Sequence, residues 1–498
     1  MKTRASFGFA RNAFSILLSV LAIAILGESL AGCGSQMGGP APAKTTQMVV
    51  LLTTTANDQL SSFTANLTSI ALVDSSGKST TIPIGANLQS GATVEWMHLN
   101  GASEPLPAVS VPQATYVSAT VTVSICTFSY VTFANQSLTT AEYTGGPCGQ
   151  GTGSTTVNLS KPITVTGTVM ALSLDLQVSQ SFTLIGSGAT AVVTISPVFN
   201  LTPISIAAPP TDETNGKVIG VAGQVMSLNM NANSFTAQTP DGVSLTLSTN
   251  ASTTFQGIAA FSSLSANLLV NFDAAIQSDG SLLATRVEVD DATAMLEAIG
   301  PYIVSAGAAG GFSTELLEFN GCAASGNPLC GAEGRTLFQS NSNTVFHVSQ
   351  QFPNLASLPF PATFSSADFL QGQNISAFTS GAVNGNNIPI ASAITLRPQT
   401  VNGIVTAISN DGRFTVYTVT LASYNLFPVL QLEAASDPAV PHLTGPTTIV
   451  VYADTSALFL NSSGMVNVGD LLRFKGLVFD DSGTLRMDCS EIYGGITE

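Results

Sequence analysis

A chain of 498 residues is longer than a single hydrophobic core usually supports, roughly 250 to 300 residues, so several cores are expected. Only 9% of the residues are charged and 45% are hydrophobic, which excludes a disordered chain. With 14 basic against 30 acidic residues, the net charge of −16 is wrong for a surface that must neutralise phosphates, and nucleic acid is excluded as a partner.

The N-terminus has the plan of an export signal. Lys2, Arg4 and Arg11 are followed by an apolar run from Ala13 to Leu26, shorter than the about 20 residues of a membrane span. Past it no second apolar run is long enough to cross a bilayer. Leu30-Ala31-Gly32-Cys33 resembles the lipobox of bacterial lipoproteins at all four positions. The resemblance implies that residues 1–32 are a signal peptide and that Cys33 is acylated, palmitate included, and becomes the mature N-terminus. Several acyl chains on one residue make a stable anchor, so the membrane is a partner through this lipid. Gly34 stands where an Asp would mark inner-membrane retention, which points to the outer membrane. Residues 33–46, rich in Gly, Pro and Ala, read as a flexible tether.

From 47 to 208 the chain shows short β-branched runs between turn residues: Met48–Thr53, Phe63–Val73, Thr115–Thr127, Thr155–Val169, Ala171–Val178 and Ala191–Ile206. In "YVSATVTVSI", Tyr116, Ser118, Thr120 and Thr122 fall on one face and Val117, Ala119, Val121, Val123 and Ile125 on the other. An antiparallel β-sandwich is the expected fold. The region resembles the DUF4382 type of lipoprotein domain, on the strength of "EWMHL" (Trp96 to Leu99), "VPQATYVSATVTV", "ALSLDLQVSQSF" and "ISPVFNLTPI". Residues 209–216, within "AAPPTDETNG", read as a linker.

An internal repeat follows. "VAGQVMSLNMNANSFTAQT" (Val221 to Thr239) matches "TVNGIVTAISNDGRFTVYT" (Thr400 to Thr418), and Leu268 to Val289 matches Leu471 to Ile492. A looser copy lies between them, giving repeats over 217–292, 293–398 and 399–498. The copies resemble the DUF5666 type, and their size suits a small OB-like β-barrel or sandwich. The expected fold class is therefore all-β: a sandwich followed by three such repeats.

Export implies an oxidising compartment, so Cys126 with Cys148 and Cys322 with Cys330 are read as two local disulfides. Cys489 is left odd. His98, His347 and His442 fall in three different modules and no His-x-x-x-His occurs, so neither a metal site nor a cofactor is expected. No nucleophile elbow, Walker loop or dinucleotide fingerprint is present, and no catalytic residue is assigned. Gly149 to Ser154 reads as a loop entering a strand, and Asp290-Asp291 and Asp480-Asp481 as solvated turn pairs. Trp96 suits a core anchor or a sugar-stacking platform, and core is the commoner role. Leu426 to Leu432 suits an exposed apolar loop or a buried end.

The expected function is a lipid-anchored, noncatalytic envelope protein presenting β-domains for interaction. The alternatives are a module binding polysaccharide or another exported ligand, and an enzyme with an unrecognised site. Aromatics gathered with Asn and Asp on one barrel face would favour sugar; a His meeting two carboxylates in one cleft would favour an enzyme.

Overall fold

A computed structural model describes residues 44–494, apart from 56–59, 85–90, 100–101, 133–136, 144–151, 158, 160, 186–191, 207–208, 305–310, 316–317, 323–334, 353–354, 371, 423–447 and 461–464. The signal, the lipobox residues Leu30, Ala31, Gly32 and Cys33, and nearly all of the tether therefore lie outside the described residues, as do His442 and Leu426 to Leu432. Among the described residues helix is confined to single turns such as Val178–Ser181, and the rest of the regular structure is strand. Among the described residues no helix is long and apolar enough to cross a membrane.

Two sheets form the first module. One places Thr45–Thr55 between Val169–Gln177 and the short strands Glu104–Pro105 and Val109–Pro112, with Phe199–Ile204 at its edge. The other is built on Leu60–Asp74 paired with Thr115–Thr132. Leu52 and Leu174 from the first and Leu67 and Val121 from the second bury together in one cluster. The expected all-antiparallel pairing is corrected at one place: Thr45–Thr55 and Val169–Gln177 run parallel, from Gln47 opposite Val169 to Thr55 opposite Gln177. The chain passes through the whole second sheet between these strands, a connection long enough for a parallel crossover.

Two predicted runs are broken by residues that cannot serve a ladder. Thr155–Val169 becomes Thr152–Val157 and Ile163–Thr164, ending near Pro162 and Gly167. Ala191–Ile206 splits at Pro197 into Val192–Ile195 and Phe199–Ile204. The alternation of "YVSATVTVSI" holds for the buried Ala119, Val121 and Val123, but Tyr116 is 1% exposed and Val117 44%. A β-bulge explains the inversion: Ser118 faces Val73 and Tyr116 faces Asp74, so Val117 is unpaired and turned outward.

The three repeats share one strand plan. In the first, Lys217–Asn229, Ser234–Gln238, Ser244–Ser248, Thr254–Gln256, Leu269–Ile276 and Leu282–Glu288 lie in the spatial order three, two, one, five, six, four, and the third also pairs with the sixth. The second repeats that order with Leu296–Val304, Gly311–Glu315, Arg335–Gln339, Val345–Val348, Asn374–Thr379 and Ala393–Leu396. In the last, Gln399–Asn410, Thr415–Leu421, Thr448–Leu460, Leu471–Asp481 and Thr484–Tyr493 close into a barrel. Gly223 and Gly403 each stand three residues before a bulge in the opening strand, at Met226 and Thr406. Phe272 faces Val221 and Phe474 faces Val401, which shifts the repeat match by one residue from an alignment made on length alone.

Cores do not respect the module boundaries. One cluster runs from Met48 in the sandwich to Val289 in the first repeat, and another joins Leu296 to Leu396 with Phe414, Leu477 and Phe479 of the last. The presumed linker is itself ordered at its end: Asp212 caps the turn Glu213–Asn215 by accepting from Thr214 N at 2.8 Å, and Asn215 Oδ1 accepts from Asp212 N at 3.0 Å.

Candidate functional site

Charged side chains are seldom buried unless paired, yet in this charge-poor chain thirteen of the described ones are buried. Most of them gather where the modules meet, in two neighbouring centres.

The first centre surrounds His98. This residue sits on the single turn Met97–Leu99, which Glu95 caps: Glu95 Oε2 accepts from His98 N at 2.8 Å and Glu95 Oε1 accepts from Phe63 N at 2.7 Å. The imidazole Nδ1 contacts the Glu95 carbonyl oxygen. A carbonyl oxygen only accepts, so Nδ1 carries the proton and Nε2 is turned toward the neighbouring modules. Nε2 lies 3.1 Å from Glu318 Oε1 and 3.9 Å from Glu104 Oε2. Glu104 is held by the strand that pairs with Leu51 and Leu52, and Glu318 opens a short strand, Glu318–Asn320, inserted in the second repeat. Asp241 comes from the hairpin turn of the first repeat, closed by Gly242 N donating to Thr239 O at 2.9 Å, with Gly242 at φ +83. One ligand atom each from His98, Asp241 and Glu318 lies within 4.8 Å of the others.

The electrostatics of this centre are severe. Burial pushes Glu318 up to about 8 even with His98 alongside to oppose it. Asp241 is raised well above the usual carboxylate range by burial and by Glu104 and Glu318. For His98 burial acts downward, but Glu318, Glu95 and Glu104 outweigh it and raise the imidazole to about 9. Neither oxygen of Glu104, itself 2% exposed, accepts from an N–H or hydroxyl group; its hydrogen-bonding neighbour is the Asp241 carboxyl.

The second centre joins the repeats. Arg286 holds Asp273 with two contacts, Nε to Oδ2 at 2.9 Å and Nη2 to Oδ1 at 3.1 Å, and its Nη1 reaches Glu288. Arg397, at the end of the second repeat, reaches back to Glu288 at 3.5 Å, Asp290 at 2.7 Å and Glu297 at 3.4 Å. In the last repeat the pair is inverted: Lys475 and Glu491 face each other across the strands at 3.3 Å, where the first repeat has Asp273 and Arg286. A cavity of about 100 Å³ lies between the centres, lined by His98, Asn271, Gln351, Asn374, Arg397 and Lys475 among others, so that all four modules contribute.

Other expectations resolve individually. Asp290 is no solvated turn residue, because the Arg397 guanidinium draws it into the repeat junction and leaves its side chain 7% exposed. Asp291 accepts from Ser392 Oγ and Thr293 N. Asp480 and Asp481 do belong to a hairpin turn, bound to Gly483 N and Arg486. Trp96 is fully buried, edge-on to Phe199 at 5.4 Å, and is a core anchor. Cys322 is disulfide-bonded, while Cys330 and Cys148 fall outside the described residues. Cys126 sits in the long strand opposite Ala65 and Tyr143. Cys489 is a buried free thiol, pushed up by burial and donating to Glu491 O at 3.3 Å. Of Gly149 to Ser154, Thr152 to Ser154 open the strand Thr152–Val157 and the rest lies outside the described residues; His347 lies on Val345–Val348.

Sequence reasoning did not find the His98 centre. Its members are separated by up to 223 positions between Glu95 and Glu318, and each alone reads as a turn or edge residue. The available signal was an acid flanked by apolar residues in a chain with 9% charge, as in "ASEPL" and "LLEFN".

No family model matches the chain and no curated protein matches it. Among solved structures, the chain is similar to a copper(II)-bound tryptophan-to-alanine variant of CusF from Escherichia coli at 13% identity, covering 15% of this chain and 94% of that one with a TM-score of 0.13.

Proposed function

We propose that the chain is a lipid-anchored, noncatalytic protein of the cell envelope, which holds four β-modules in one fixed arrangement and presents their outer surface to an envelope partner. The observation that carries this reading is where the scarce charge goes: Arg397 reaching Glu288 and Asp290 across the repeat junction, and the His98 group, are spent on contacts between modules. Such buried pairs specify one mutual orientation more than they add stability.

His98 meeting Asp241 and Glu318 is the arrangement that would favour an enzyme. The cavity beside them is about 100 Å³, against the roughly 300 Å³ or more of typical small-molecule sites. This favours a structural centre, or one that holds a single ion, over a site that encloses a small molecule. Among the described residues no aromatic side chain is fully exposed.

The address is tested by metabolic labelling with an alkyne fatty acid. Wild type is expected to incorporate label and to fractionate with the outer membrane, and Cys33→Ser to lose the label and accumulate as precursor. Normal maturation and membrane retention of Cys33→Ser would overturn the anchor.

A further inference from the structure

We propose that His98 Nε2 and the carboxylates of Glu104, Asp241 and Glu318 form a binding site for one divalent cation of the manganese-to-zinc class, clamping the sandwich to the first and second repeats.

Four observations carry the proposal. The donor atoms already converge, with His98 Nε2 3.1 Å from Glu318 Oε1 and 3.9 Å from Glu104 Oε2, and Asp241 within 4.8 Å. A cation bound at about 2.0 to 2.2 Å places its ligands about 3 Å apart when adjacent and a little over 4 Å when opposite, so His98, Asp241 and Glu318 need only a small contraction, with Glu104 approaching the same nitrogen. Independently, Glu104 is nine-tenths buried and more, and no N–H or hydroxyl group donates to either of its oxygens, the Asp241 carboxyl standing beside it. An ionised carboxylate left so costs several kcal/mol by order of magnitude, unless a cation or a proton meets it.

The imidazole is also prepared as a ligand. Its Nδ1–H is committed to the Glu95 carbonyl, the arrangement by which metal-binding histidines have their tautomer set and their ring oriented. Glu95 is satisfied by two backbone N–H groups and so acts behind the histidine, outside the donor set. Finally, a void of about 10 Å³ lies against His98, Glu104 and Glu318, room for a single ion or water.

Ligand chemistry selects the ion. Three carboxylates supply the negative charge that a divalent cation needs, while the imidazole nitrogen favours first-row transition metals over calcium or magnesium. No thiolate or thioether is in the donor set, which removes the preference for monovalent copper.

The experiment uses the full mature protein in detergent, stripped with EDTA, returned to chelator-free buffer and titrated with MnCl2, ZnCl2, CaCl2 or MgCl2. The expected result is one equivalent of manganese or zinc retained through gel filtration, with a higher melting temperature than the stripped protein. Pulsed electron spin resonance of the manganese form should show nitrogen modulation that His98→Gln abolishes. Glu318→Gln, similar in shape, should weaken binding about 10- to 100-fold. Because stripping and re-addition are done on wild type, a variant that fails to fold does not blunt the test. No retained metal with an unchanged melting temperature would overturn the site. So would manganese binding without nitrogen modulation, or calcium and magnesium binding as tightly as manganese and zinc.

Discussion

Arg397 Nη2 lies 2.7 Å from Asp290 Oδ2, both side chains being 7% exposed, and this contact joins the last residues of the first repeat to the end of the second. Arg397 also reaches Glu288 and Glu297, so its removal takes the arginine from Asp290 and Glu297 and leaves Glu288 to Arg286 alone. Arg397→Met is expected to destabilise the protein by about 3 to 5 kcal/mol. Arg397→Lys keeps the charge but not the planar fork, and should recover only part of the loss. Urea unfolding checks both, and an unchanged midpoint for Arg397→Met would remove the junction from the account.

The closed barrel of the last repeat depends on a close approach of two paired strands at a glycine. A Cβ on Gly476 would stand 1.9 Å from Asp488 O, whereas one on Gly385 would meet nothing within 4 Å. Gly476→Ala should therefore cost about 3 kcal/mol or more. Gly385→Ala should be close to silent. Thermal unfolding of the pair discriminates them, and equal melting temperatures would contradict the close approach.

That glycine also shows what a sequence reading can and cannot reach. Alternating apolar residues and the Phe-Thr that follows each turn made the two outer repeats recognisable, because both are local patterns. The middle copy carries the insertion that supplies Glu318–Asn320 and was harder to see, although its strand order is the same. Bulges at Val117, Met226 and Thr406 leave no local mark, since the residue pushed out is decided by the partner strand. The parallel pairing of Gln47 with Val169 was equally hidden, because nothing in either strand records its partner's direction. The His98 centre was illegible for a stronger reason: its four ligating residues come from three modules and become neighbours only when those modules dock.

Burial, helped by Asp454 and opposed by Arg413, raises Asp488 from 3.8 to about 6. A carboxyl that holds its proton more tightly when folded contributes its stability fully below the unfolded value and loses it as pH rises through about 6. Asp488→Asn, which stays neutral, should raise stability at pH 8 by about 1 to 2 kcal/mol and change it little at pH 4. Equal effects at the two pH values would show that Asp488 titrates as an exposed acid.

The single tryptophan is a ready probe, because Trp96 is wholly buried against Phe199. Its fluorescence should be blue-shifted, resist quenching by iodide and stay unchanged on addition of polysaccharide. A red-shifted, readily quenched signal would return Trp96 to the surface and to sugar stacking.

The central claim, that the modules are presented as one body to an envelope partner, is met most directly by a parallel screen of the mature protein on a glycan array and against detergent-solubilised envelope. Saturable retention of one envelope protein is expected, lost when Arg397→Met loosens the repeat junction, with no saturable glycan signal. Saturable binding to one polysaccharide, unaffected by Arg397→Met, would contradict it.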